Sequence, residues 1–170
     1  MRSMRLTWIR TLLLGCVAAL IASAAVSCGG TPIDLQKNLK VNSVTTGWYN
    51  DGVVDGKNKL VPSLSFTITN QSNASLGSLQ VNAVYKRVGE TEEWGTAFSS
   101  VAGADGLAAG VTTPTLALHS PLGYTGTEPP EQMLQNHLFV DAQVTLFAKY
   151  GSGQWTKLAE FPVKRVLLAK

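Results

Sequence analysis

"FVDAQVTLFAKY", residues 139–150, runs through "GSGQ", 151–154, into "WTKLAEFPVKRVLL", 155–168. In the first stretch Val140, Ala142, Val144, Leu146 and Ala148 alternate with Asp141, Gln143, Thr145 and Lys149. Successive side chains of a strand point to opposite faces, so this period of two predicts a strand with one apolar face. Val144 and Leu146 then belong at the buried centre of a sheet. Two strands joined by so few residues form an antiparallel hairpin.

The same period extends back through the chain. "LVPSLSFTITN", 60–70, puts Leu64, Phe66 and Ile68 on one face and Ser63, Ser65, Thr67 and Thr69 on the other. "NQSN", 70–73, is a turn, and "LQVNAVYKR", 79–87, places Leu79, Val81, Ala83 and Tyr85 on one face. "VGETEEWG", 88–95, is a polar hairpin loop, and "AGADGLAAG", 102–110, is a looser one. Shorter strands are expected in "WGTAFSSV", 94–101, and "TPTLALHS", 113–120. The one helix candidate is "PPEQMLQN", 129–136, with prolines at its start, Glu131 in its first turn, and Met133 and Leu134 to bury. The predicted class is all-β: an antiparallel immunoglobulin-like β-sandwich of about seven strands, with one short helix in a long crossover loop. A small closed barrel is the alternative. The chain lacks the Cys–Trp–Cys spacing of antibody domains.

"PSLSFTITNQSNASLGSLQVNAVYK", 62–86, resembles bacterial extracytoplasmic immunoglobulin-like domains of the FxLYD type. In these an apolar strand ends in an Asn-containing turn and leads to a second apolar strand. The resemblance implies a fold and no chemistry.

The N-terminus has a different character. "MRSMRLTWIR" is basic, and "TLLLGCVAALIASAAV", 11–26, is apolar and ends among small residues. That is the texture of an export signal, and it is short for a membrane span. "AVSC", 25–28, resembles the lipobox of bacterial lipoprotein precursors, with Ala25 where leucine is commonest. The resemblance implies that Cys28 is lipid-modified and becomes the new N-terminus. Two or three acyl chains hold firmly to a bilayer, whereas one does not. "LLGC", 13–16, matches too, but cleavage there leaves too short an apolar run before it. A plain secretory signal cut near Ala25 and an uncleaved anchor are the other readings. The expected organisation is a signal peptide over 1–27, a lipidated N-terminus and tether over 28–38, and a β-sandwich domain over 39–170. Gly29 follows the cysteine; aspartate there retains enteric lipoproteins at the inner membrane, so the resemblance implies the outer membrane, if the host has one.

The formal charge of +3 argues less than it suggests. Arg2, Arg5 and Arg10 precede the apolar run, and the remaining 11 basic residues equal the 11 acidic ones, all of which follow Cys28. No Lys/Arg cluster with interleaved aromatics follows, so nucleic acid is not an expected partner.

Sequence motifs for catalysis are missing: no His-Glu-x-x-His, Gly-x-Ser-x-Gly, Ser-x-x-Lys or Gly-Lys-Ser/Thr. His119 adjoins Ser120, but neighbours on a strand face opposite ways. "YNDGVVDGKNK", 49–59, carries oxygen donors, Asp51 and Asp55 among them, without the spacing of a calcium loop; Asp-Gly pairs are common in β-turns. No enzyme, cofactor or metal is expected. Trp48, Trp94 and Trp155 are expected to serve in packing. The long connection "HSPLGYTGTEPPEQM", 119–133, is the candidate partner-binding loop, with Ser120, Gly123, Tyr124 and Met133 as its named residues. Tyr124 is either its binding anchor or a ring packed over the core edge. The expected function is a lipid-anchored extracytoplasmic module, held to the membrane by its N-terminal lipid, that binds a protein or another component of the cell envelope. A periplasmic carrier of a small apolar ligand and a hydrolase with an unrecognised site are the alternatives.

Overall fold

The computed structural model describes residues 33–169. The expected signal peptide and the expected lipid site at Cys28 lie outside the described residues. Asp34 caps a helical turn, α1 (Leu35–Asn38), by accepting from the backbone N–H of Gln36 and Lys37. Leu35 is buried beneath it. The last residues of the expected tether thus form a turn that has both a cap and an apolar residue to bury.

Eight strands follow: β1 (Leu39–Val54), β2 (Lys57–Asn70), β3 (Leu79–Arg87), β4 (Gly95–Ala102), β5 (Leu116–His119), β6 (Tyr124–Gly126), β7 (Ala142–Tyr150) and β8 (Thr156–Pro162). A second helix, α2 (Pro130–Gln135), sits where the sequence predicts one. The strands form two four-stranded sheets, and every strand pair in them is antiparallel. One has the order β1-β2-β5, with β6 also paired to β2; the other is β4-β3-β7-β8. This is a sandwich of two sheets, not a closed barrel.

The alternating residues define the core. Leu60, Leu64, Phe66 and Ile68 of β2, with Leu79, Val81, Ala83 and Tyr85 of β3 and Val144, Leu146 and Ala148 of β7, have no exposed surface. The Tyr85 hydroxyl donates to Leu118 O at 2.6 Å, tying one sheet to the other. Burial pushes that phenol far above its ordinary value, since a buried phenolate would lack water to solvate it. Val140, expected on the same face as Val144, is exposed because β7 begins only at Ala142.

β1 is the element hardest to foresee. Its 16 residues include Gly47 and Gly52, and two register shifts interrupt its pairing with β2, near Ser43 and Gly52. Both of these residues have positive φ, as expected of bulges that bend a long strand. Asp55 and Gly56 also have positive φ and join Val54 to Lys57 in a two-residue turn, the type I′ geometry that matches strand twist.

The strands give the domain two ends. α1, the turn after β2 and the β7–β8 hairpin lie at the near end. The β1–β2 tip, the β3–β4 loop, β6 and α2 lie at the far end. After β8 the chain changes sheets: the Thr46 hydroxyl donates to Pro162 O, Trp48 N donates to Val166 O and Leu168 N donates to Trp48 O. The C-terminal segment thus covers part of the free edge of β1.

Candidate functional site

The predicted binding loop is not free chain. Gly123 passes against β2, where a Cβ atom would lie 2.0 Å from Leu60 O, so only glycine fits. From the next residue the chain pairs with β2 as β6, with Tyr124 opposite Leu60. Ser120 is buried, and its Oγ accepts from Leu122 N. It belongs to the scaffold of the loop rather than to its surface. Met133 is also buried, on the inner side of α2.

Tyr124 is half-buried in a cluster of aromatic rings. Its centroid lies 4.7 Å from Phe139, 4.9 Å from Trp94 and 5.7 Å from Trp48. Trp48 meets Phe139 edge-on at 4.5 Å. Such tilted contacts suit the ring quadrupoles. Two guanidinium groups flank the cluster, Arg87 over Trp94 and Arg165 over Phe139. Arg165 is held by Asp141 and by donation to Phe139 O. Trp48 is wholly buried, and its indole N–H has no acceptor among the described residues. Packing is thus the role of Tyr124 on one side.

Its other side opens onto a cavity of about 130 Å³. Tyr124, Thr125 and Gly126 of β6, Glu128, Met133 of α2, Asn136, Leu138 and Phe139 line it. Leu138 stands at the mouth, 73% exposed. The cavity has the size of a single benzene ring or aliphatic side chain. It was not visible in sequence, since its walls come from β6, α2 and the stretch before β7, and the deciding ring contacts reach back to Trp48. Glu128 is the one carboxylate in this lining. Asp51, Asp55, Glu90, Glu92, Glu93, Glu131 and Asp141 belong to the same half of the domain, with Lys59, Arg87 and Arg165 paired to Asp51, Glu90 and Asp141.

The remaining candidates fall apart. Asp51 pairs with Lys59 at 2.8 Å and Asp55 occupies the turn, so the acidic tip spends itself on local structure. His119 faces away from Ser120, as expected, but its Nδ1 lies 2.8 Å from Ser63 Oγ and its ring stacks on Tyr49 at 4.4 Å. Partial burial lowers its pKa, against the opposing pull of Asp51. Ser63 was predicted on the open face; His119 and Tyr49 lie over it, and it is wholly buried. A buried hydroxyl cannot reach a substrate carbonyl, so this Ser–His pair is structural.

No family model and no curated relative matches the chain. Two solved structures resemble it in outline. The Northeast Structural Genomics Consortium target SoR45 is 15% identical, with 76% of this chain and 89% of that chain covered and a TM-score of 0.43. A Bordetella pertussis protein described as a candidate ApaA is 18% identical, with 75% and 94% covered and a TM-score of 0.42. Likenesses this distant say nothing about activity.

Proposed function

We propose that the protein is a lipid-anchored, extracytoplasmic β-sandwich that binds a protein of the cell envelope through its far end. The observation that carries this reading is the cavity beside Tyr124, at the opposite end of the sandwich from Asp34, where the chain enters. An anchor at one end and a receptive surface at the other suit a module that holds a partner away from the bilayer. The partner would insert one apolar side chain between Tyr124, Met133 and Leu138, with a basic group facing Glu128. The cavity is too small for an acyl chain, which counts against the carrier reading. If the host has an outer membrane, that is the proposed location.

Two measurements test the halves of this reading. Cys28→Ala should move the protein from the membrane to the soluble fraction; unchanged fractionation would remove the anchor. A photoreactive crosslinker at position 138 in cells should trap one defined partner, and Glu128→Lys should abolish the adduct while leaving expression intact. An adduct indifferent to that charge reversal would rule out the cavity as the recognition site.

A further inference from the structure

We infer that the near end carries a second contact surface, a patch of aromatic and lysine side chains that rests on the bilayer holding the lipid anchor. This rests on the proposed acylation of Cys28.

The patch lies on the outer face of the β4-β3-β7-β8 sheet. Phe98 of β4 is 57% exposed and Trp155, just before β8, is 39% exposed. Their rings meet edge-on, 6.2 Å apart. Large apolar rings left open on a soluble surface mark a contact, and tryptophan with lysine is the pairing that favours the headgroup layer. Lys149 Nζ lies 5.3 Å from the Trp155 ring. Lys157 follows two residues later, half-exposed and paired with Glu160.

The chain leading to the anchor ends beside this patch. Gln36 of α1 donates from Nε2 to Lys157 O at 2.9 Å. Five residues separate Cys28 from Asp34, and the six steps between them, fully extended, span about 20 Å. A lipidated Cys28 would therefore keep α1, and with it Trp155, within reach of the bilayer surface. Charge agrees. Lys37, Lys40, Lys149 and Lys157 stand against Asp34, Asp105 and Glu160 here, a surplus of one with Lys37 and Lys157 in ion pairs, whereas the far half carries eight carboxylates against six basic side chains. Near an anionic leaflet each such lysine is attracted, while the acidic far end is turned toward solvent.

Tryptophan fluorescence tests the contact directly. Of the tryptophans after Cys28, Trp48 and Trp94 sit in the far aromatic cluster, and Trp155 is the one near the anchor. The full-length protein, purified from membranes, is reconstituted into phosphatidylethanolamine–phosphatidylglycerol vesicles whose acyl chains are brominated near the headgroup. Flotation reports whether the protein is anchored, and quenching reports which face touches lipid. Floating protein should lose about a third of its emission, the share of one interfacial tryptophan among three. Trp155→Phe should abolish that loss, and Lys149→Gln with Lys157→Gln should reduce it in anionic vesicles. Floating protein with unquenched Trp155 overturns the patch and leaves the anchor standing, whether water, another protein or a second copy then covers the face. Protein that does not float overturns the anchor and the patch together.

Discussion

The two ends of the sandwich are sealed by different chemistry. The near end is closed by a polar hub. Asn70 is wholly buried, and its amide donates to Ala74 O at 2.8 Å and Leu107 O at 2.7 Å. Its oxygen accepts from Ser72 N and Ser72 Oγ. Every donor and acceptor of that side chain is used, while Leu76 and Leu107 pack nearby and pair through their backbones. The far end is closed by rings, with a cavity beside Tyr124. Two of its polar atoms, Trp48 Nε1 and Arg87 Nε, are buried without partners among the described residues. A satisfied polar hub admits one arrangement. The far end instead combines a ring cluster, a void and two unpartnered donors, and it is the end for which we propose recognition.

That contrast can be broken or sharpened by measurement. The largest effect is expected from Asn70→Ala, which removes four hydrogen bonds and leaves a void at a wholly buried position, although Leu107 O still accepts from Leu76 N and Ala74 O from Ser72 Oγ. It should cost about 3 kcal/mol, with hydrogen-exchange protection falling first around Leu76 and Leu107. Uniform loss over both ends would mean that the hub is not local. Tyr124→Ala should cost about 2 kcal/mol, less than a fully buried aromatic, because the ring is only half-buried. Protection should fall around β6 and α2 while the near end holds. A loss under half that size would make Tyr124 a surface residue rather than a packing one.

The smallest effect concerns His119. Its pKa is lowered in the fold, chiefly by burial, so between the folded and unfolded values the unfolded chain binds more protons. Its contribution to stability is complete above the unfolded value, near pH 6.5, and declines as pH falls through that value toward the folded one. Denaturant titrations of His119→Gln should lose that part of the pH slope. An unaltered slope would show that the Ser63–His119 contact does not shift the titration.

How much of this was legible in sequence depends on distance along the chain. β2, β3 and β7 declare themselves because each alternates apolar and polar residues over a run of several positions, Leu64–Thr69, Leu79–Ala83 and Ala142–Leu146. α2 does so through its prolines, Glu131 and the Met133–Leu134 pair. β1 does not, since its bulges break the period at Ser43 and Gly52 and its tip reads as turn chemistry. β6 is three residues long, too short for any period. Its position is dictated by Gly123, and the steric reason, Leu60 O, lies 63 residues earlier. Gly123, Tyr124 and Met133 help to build the far end, Ser120 only supports it, and Leu138 and Phe139 were missed because nothing local distinguishes them from the strand that follows.

The long first strand also decides how the domain meets a pull. β1 leads directly from the entering chain and runs from the near end to the far end, paired to β2 over most of its length. Backbone bonds in such a ladder stand across the strand. A tug on the N-terminus along the strand axis therefore loads many of them side by side, in shear. The same tug directed sideways would open them one at a time. A partner gripped at the far end, as proposed, would pull along the strong direction, which would make β1 the tendon of the molecule.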